Sequence, residues 1–134
     1  MFLTKECDYA LRIIRALADG RKATAEEICD AELIPGQFAY KILKKLERAG
    51  WIMSDRGRGG GYRLIASAAE LTIYDIVSAV DENLFINECL RHDHVCARNA
   101  KKQPCAVHKE FKRIQEILDM ELRRSSLSEL IAEE

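Results

Sequence analysis

The chain has no long hydrophobic run. None of its apolar stretches reaches the roughly 18 to 20 residues that a membrane span requires, so no membrane partner is expected. The first twenty residues do not read as a secretory signal, because Lys5, Glu6, Asp8 and Arg12 interrupt any apolar core. A cytoplasmic protein is the expectation. Catalytic signatures are missing as well. There is no Gly-x-Ser-x-Gly elbow, Walker loop, dinucleotide fingerprint or evident pair of acid–base carboxylates. That argues against an enzyme and against a small-molecule substrate. Prolines number two and aromatics reach 7%, and neither a repeat nor a low-complexity segment is found. What remains is ordinary globular composition: 134 residues, 48% hydrophobic and 32% charged. That length can bury one core without staples.

Cysteine is the exception to this scarcity. Five are present. In a reducing compartment they stay mostly as thiols, and their odd number does not favour a disulfide framework. Charge is balanced overall at −1 but unevenly spread. Residues 1–66 carry 12 Lys/Arg against 9 Asp/Glu, whereas residues 67–134 carry 9 against 13. Within 41–63 there are seven basic residues and only Glu47 and Asp55 to oppose them. Such a local excess suits a polyanion.

The apolar spacing predicts a helix over 4–19, with Cys7, Ala10, Leu11, Ile14, Leu17 and Ala18 inward, Thr4 as cap and Gly20 as stop. Thr24-Ala-Glu-Glu27 is a capping box that opens a second, short helix with Ile28 and Cys29 inward. A turn follows. Pro35 suits the start of a third helix that ends near Ala49, before Gly50. On this third helix Phe38, Ala39, Ile42, Leu43, Leu46 and Ala49 form an apolar stripe. Gln37, Lys41, Lys44 and Arg48 share the opposite face, flanked by Tyr40. Helix, turn and basic-faced helix is the helix-turn-helix pattern, whose second helix enters the major groove.

A hairpin comes next, with strands at Trp51–Asp55 and Gly61–Ile65 around Arg56-Gly-Arg-Gly-Gly-Gly61. Glycine supplies the positive φ of a hairpin tip. Four glycines around two arginines exceed that need. Gly59 and Gly60 would let bare backbone approach DNA while Arg56 and Arg58 reach a minor groove. Thr72-Ile-Tyr-Asp75 caps a fourth helix with Ile73, Ile76, Val77 and Val80 inward. Apolar periodicity lapses over 81–104. It resumes as Val107, Phe111, Ile114, Leu118 and Leu122, a heptad-type seam opposed by Lys109, Glu110, Lys112, Arg113 and Glu116. One helix cannot bury such a seam alone, so a homodimer is expected, the alternative being that the seam packs on its own winged domain. Ser126-Leu-Ser-Glu129 caps a short last helix around Leu127, Leu130 and Ile131. The expected fold is mainly α with a small β-hairpin wing: a winged helix-turn-helix over 1–80, a loop over 81–106, and a dimerisation helix with a short terminal helix over 107–134.

These residues resemble the iron–sulfur cluster regulators and nitric-oxide-sensing repressors of bacteria, the IscR/NsrR family. The carriers are Leu3-Thr4 with Tyr9-Ala10, the wing Arg56 to Leu64, the segment Thr72 to Glu82, three cysteines before a long helix, and Ser126 to Leu130. The likeness spans essentially the whole chain, and the wing and the Ile76-Val-Ser-Ala-Val-Asp-Glu82 stretch are its most specific parts. It implies a homodimeric winged-helix transcription regulator that binds double-stranded promoter DNA. It also implies a [2Fe–2S] or [4Fe–4S] cluster whose state, answering to redox, nitric oxide or iron, sets operator affinity. By position, the family's base-reading residues fall on Gln37, Tyr40 and Lys41, and its wing arginine on Arg56. Gln pairs with adenine and Lys with guanine. Arg58 stands where the family more usually has proline, which adds charge and flexibility to the loop.

The cluster would fall to Cys89, Cys96 and Cys105, spaced Cys-x6-Cys-x8-Cys. Thiolates are soft ligands that suit iron. The residues between them are mostly polar, among them Arg91, His92, Asp93, His94, Arg98 and Lys101, and bury too little apolar surface to offset their ordering entropy. A metal held through three sulfurs would tie this segment; without metal it is expected to be mobile. Two residues compete as fourth ligand. His108 lies one helical turn after Cys105 and matches the cysteine-plus-histidine ending of the [2Fe–2S] regulators. Asp8 occupies the first-helix position from which some family members donate an oxygen across the dimer. Its other reading is a surface carboxylate paired with Arg12 at i+4. Cys7 and Cys29 read as small buried hydrophobes, and His92 and His94 as loop histidines beside the ligands. Zinc is the rival metal, since Cys3His is a zinc set, but the long gaps differ from a Cys-x2-Cys knuckle. A cluster-free regulator using its cysteines as a thiol switch is the remaining alternative.

Overall fold

Hydroxyl caps set where the helices begin in a computed structural model that describes residues 3–98 and 104–134. Thr4 accepts the Cys7 N–H and opens α1 (Lys5–Ala16). Full capping boxes open α2 (Ala25–Glu32, Thr24 with Glu27) and α4 (Ile73–Val80, Thr72 with Asp75). Another opens α6 (Leu127–Ile131, Ser126 with Glu129). Each box satisfies two backbone donors that a helix start leaves orphaned, which helps such short helices hold. α3 (Gly36–Arg48) has no side-chain cap and follows Pro35, whose ring presets the backbone. β1 (Ile52–Asp55) and β2 (Gly61–Leu64) pair antiparallel, with Ile52 opposite Leu64 and Asp55 opposite Gly61. Ala23 bridges to Tyr62 and pins the hairpin to the residue before the α2 cap. A 3-10 turn (Glu88–Leu90) and the long α5 (Ala106–Leu122) complete the order.

The core lies around α1, which packs on α2, α3 and α4. Cys7, Ala10, Ile13, Ile14 and Leu17 are fully buried. Ile13 lies outside the expected stripe, while Leu11 and Ala18 are only half-buried. A helix covered by three neighbours buries a wider arc than one amphipathic face. Two stripe residues of α3 depart from expectation. Ala49 is exposed. Phe38 is 41% exposed and tilts against Tyr9, ring centroids 5.9 Å apart, because it sits at the helix start where the core ends. Cys7 is buried as expected. Cys29 is half-buried, and burial, then Asp30 and Glu26, push its thiol up.

The α2–α3 turn rests on Leu33, which adopts φ 54° and ψ 48° and is 82% exposed. A left-handed leucine costs about 1 kcal/mol or more, and this one recovers little by packing. Leu33→Gly is expected to stabilise the fold by up to about 1 kcal/mol, seen as a raised urea midpoint with an unchanged slope. A lowered midpoint would show that the leucine side chain packs in a way its exposure conceals.

The C-terminal segment returns to the first body. Leu127 is buried and donates its N–H to Leu71 O at 2.7 Å, and Ser128 N–H donates to Ala68 O at 3.0 Å. Arg123 stacks on Tyr74, 3.4 Å above the ring. Among the described residues α5 packs on the 3-10 turn and on α4, and Gln115 bonds to the loop between them. Its heptad seam divides. Phe111, Leu118 and Leu122 are half-buried, whereas Val107 (59%), Ile114 (39%), Ile117 (43%) and Met120 (64%) are exposed. Among the described residues no helix is long and apolar enough to cross a membrane.

Candidate nucleic-acid interface and cysteine cavity

Burial of Ala39, Ile42, Leu43 and Leu46 turns Gln37, Tyr40, Lys41, Lys44 and Arg48 of α3 to the outside, where all five are exposed. Ion pairs and hydrogen bonds hold the helix in place. Glu47 accepts from the backbone N–H of Ser54 at 3.0 Å and from its hydroxyl at 2.6 Å, tying α3 to β1. Those two bonds, the hydroxyl first, hold the Glu47 carboxyl below the usual range. On the other side Glu6 of α1 accepts from Lys41 at 2.5 Å and Lys45 at 2.7 Å. Lys41, then Lys45, lower its pKa. Lys45 also donates to Val80 O at 2.7 Å, at the end of α4. Among the described residues no ion pair engages Lys44, Arg48, Arg56 or Arg58.

The wing extends this basic face. Arg56 and Arg58 are exposed at its tip. Below them Asp55 pairs with Lys22 at 2.8 Å and Arg63 at 3.5 Å, and Lys22 is the main cause of its lowered pKa. The glycines have reasons inside the fold. Gly57, Gly59 and Gly61 have positive φ. A Cβ on Gly60 would sit 2.6 Å from Asp55 O and 2.7 Å from Gly57 O. Turn geometry accounts for Gly57, Gly59 and Gly60, and the close Ala23 backbone, 2.8 Å from a Cβ on Gly61, for the fourth, so the glycine count alone is no sign of DNA contact. The paired strands and the Ala23 bridge hold the two arginines beside α3.

The second constellation lies at the start of α5. Cys89 on the 3-10 turn, Cys96 in the following loop and His108 in the first turn of α5 line one cavity of ≈ 600 Å³. Phe85, His92, His94, Lys112, Gln115 and Glu116 also line it, and His92 meets Phe85 edge-on at 6.3 Å. His108 Nδ1 is buried without a hydrogen-bond partner. Cys105 is half-buried at the cap position of α5 and is not among the described residues lining the cavity. Among the described residues no three Cys, His, Asp or Glu side chains gather closely enough to hold a single metal ion. The loop residue Lys101 lies outside the described residues.

Asp8 is elsewhere. It pairs with Arg12 at 3.0 Å, and Arg12 also donates to Glu32 O at 3.2 Å. Within one chain the fold thus brings His108, and not Asp8, to the cysteines. Two thiols and an unpartnered imidazole nitrogen in one cavity form a soft donor set that fits an iron–sulfur group. The nearest loop is held by Gln115, the one buried residue of α5. Its Oε1 accepts Ile86 N–H at 2.9 Å, and its Nε2 donates to Leu84 O at 3.0 Å and Asp119 Oδ1 at 2.8 Å. Sequence reasoning misses this residue, because a glutamine on a charged helix looks solvated. The signal that could have found it is its place between Phe111 and Leu118 on the inward side of the seam.

Comparison with known proteins covers nearly the whole chain. The family model Rrf2, described as an iron-dependent transcriptional regulator, matches residues 3–133. The HTH-type transcriptional regulator NsrR of Geobacillus kaustophilus is 32% identical over 124 residues, covering 89% of this chain and 84% of that protein. Protein aau3 of Rhizobium meliloti is 38% identical over 91 residues, covering 66% of this chain and 59% of its own length. The structure of T. potens IscR superposes with a TM-score of 0.75 at 16% identity, covering 97% of this chain and 85% of that one. The structure of CymR, the global cysteine regulator of B. subtilis, gives 0.74 at 21%, covering 98% and 96%. Both structural likenesses establish the winged-helix fold.

Proposed function

This chain belongs to the Rrf2 family of transcriptional regulators, and on that premise we propose that it is a dimeric regulator whose DNA affinity answers to an iron–sulfur group held beside α5. In this reading residues 1–80 bind double-stranded promoter DNA through Gln37, Tyr40, Lys41, Lys44, Arg56, Arg58, Gly59 and Gly60. Residues 81–106 carry the sensor. Residues 107–134 dimerise, with Val107, Ile114, Ile117 and Met120 of two copies covering one another; their exposure on a lightly packed helix supports this.

The observation that carries the sensor is His108 Nδ1, buried without a partner in the same cavity as Cys89 and Cys96. A buried unsatisfied nitrogen costs about 1–3 kcal/mol, and a ligand would relieve it. Cys89, Cys96 and Cys105 would hold the cluster, with His108 or Asp8 as fourth ligand. When bound, such a cluster supplies a centre that responds to oxygen, nitric oxide or iron supply. The chain's own part is to convey the change. Gln115 lines the cavity and grips Leu84 and Ile86, just beyond α4. The last carbonyl of α4 accepts from Lys45 of α3. One amide and one ammonium therefore connect the cavity to the recognition helix.

Protein purified without oxygen is expected to be brown, with charge-transfer bands lost in Cys89→Ala, Cys96→Ala or Cys105→Ala. Comparing His108→Ala with Asp8→Ala then names the fourth ligand, and His108→Ala is expected to disturb the bands. A colourless protein that takes up no iron and sulfide would falsify the cluster. A second reading is a thiol switch, which the half-buried free thiols of Cys89, Cys96 and Cys105 support, or a zinc site built on the same cysteines with His108. Metal analysis and thiol titration of the same sample separate these two.

A further inference from the structure

Glu6 lies in the first turn of α1, and both of its carboxylate oxygens are taken by the recognition helix: Oε1 by Lys41 and Oε2 by Lys45. We propose that Glu6 is a specificity-determining residue for DNA binding, an internal substitute for backbone phosphate that engages two lysines of the recognition helix and offsets one of their two charges. The proposal rests on the DNA-binding reading above and adds to it a residue on another helix.

The two lysines differ. Lys45 is 31% exposed and also donates to Val80 O. That carbonyl ends α4, where the helix dipole is negative and favours a cation, so Lys45 is fixed inward. Lys41 is 61% exposed, on the face it shares with Gln37 and Lys44. It can leave Glu6 for DNA, and its destination decides what is gained. Against a phosphate it exchanges one anion for another, so few counterions are released and little affinity follows. Against a guanine edge it donates to O6 and N7 in a geometry only the right base offers. Glu6 thus withdraws Lys41 from sequence-independent attraction and leaves it available for reading bases. The cations with no ion pair among the described residues, Lys44, Arg48, Arg56 and Arg58, then carry the non-specific attraction on this face.

Salt dependence reads this out, because each phosphate contact contributes about 0.9 to the slope of log affinity against log salt. The probe is a labelled duplex of mixed sequence, titrated with full-length protein by fluorescence anisotropy across a salt series. For Glu6→Gln, which keeps an acceptor for Lys45, the slope is expected to steepen by about 0.9, with roughly three- to tenfold tighter binding at low salt. Lys41→Gln in the wild-type background should leave the slope unchanged, and added to Glu6→Gln it should restore the wild-type slope. The proposal is overturned if Lys41→Gln alone lowers the slope by about one unit, or if the double variant stays steep. Lys41→Gln alone remains decisive even where Glu6→Gln folds poorly. Arg58→Gln serves as control and should lower the slope by about one unit. Duplex binding lost in Arg58→Gln but insensitive to Glu6 rejects only this role for Glu6. Wild type that binds no duplex at any salt rejects the DNA reading and this role together.

Discussion

Gly60→Ala is expected to weaken binding to duplex DNA by roughly ten- to a hundredfold while leaving the helical core folded. The added Cβ would lie 2.6 Å from Asp55 O and 2.7 Å from Gly57 O. Both are backbone atoms, so no side chain can move aside. The turn must open, breaking the Gly60 N–H to Gly57 O bond at 2.9 Å and displacing Arg56 and Arg58 with it. Losing one or two positioned arginines costs about 1–3 kcal/mol of binding, which is the origin of the expected factor. No residue of the tip belongs to the buried core, so the thermal midpoint should fall much less than the affinity. The check is anisotropy with a promoter fragment beside a melting curve. Full affinity with a distorted wing would mean that α3 binds DNA unaided.

Gln115→Leu should have the largest effect on stability, a loss of about 2–4 kcal/mol. The leucine fills similar space but leaves Ile86 N–H and Leu84 O without the partners they now have at 2.9 and 3.0 Å. A buried group deprived of its partner keeps its full desolvation cost. Urea unfolding measures the loss, and hydrogen exchange should show faster opening of 84–96 than of α1. Because Gln115 also lines the cysteine cavity, the variant should assemble any cluster less readily than wild type. A midpoint within a few tenths of a kcal/mol of wild type would mean that solvent already satisfies these groups.

Local patterns make most of the winged domain legible. Thr4, Thr24, Thr72 and Ser126 cap the helices predicted from them, because a cap is decided by residues three apart in the chain. The outward face of α3 is legible for the same reason: four apolar residues at helical spacing oblige the others to face out. The surplus of wing glycine suggests DNA contact in the sequence, whereas the backbone itself requires each one. A positive φ or a close carbonyl is a three-dimensional demand with no mark in the sequence beyond glycine itself. The seam on α5 is legible, but not which residues it leaves open. Phe111, Leu118 and Leu122 lean on their own chain, while Ile117 and Met120 join the exposed side.

By itself the sequence determined the order and kind of elements, the basic face, the hairpin and three cysteines ahead of a long helix. The elements and their faces depend on spacings within about two helical turns, and their order is simply the order of the chain. Tertiary structure alone decided which distant groups meet. It brought Glu6 to Lys41 and Lys45 across 35 and 39 residues, and Gln115 to a loop 29 residues away. It also set His108 in one cavity with Cys89 and Cys96, and left Asp8 with Arg12. Such pairings depend on how whole helices pack, and packing is set by the summed burial of many side chains rather than by either partner.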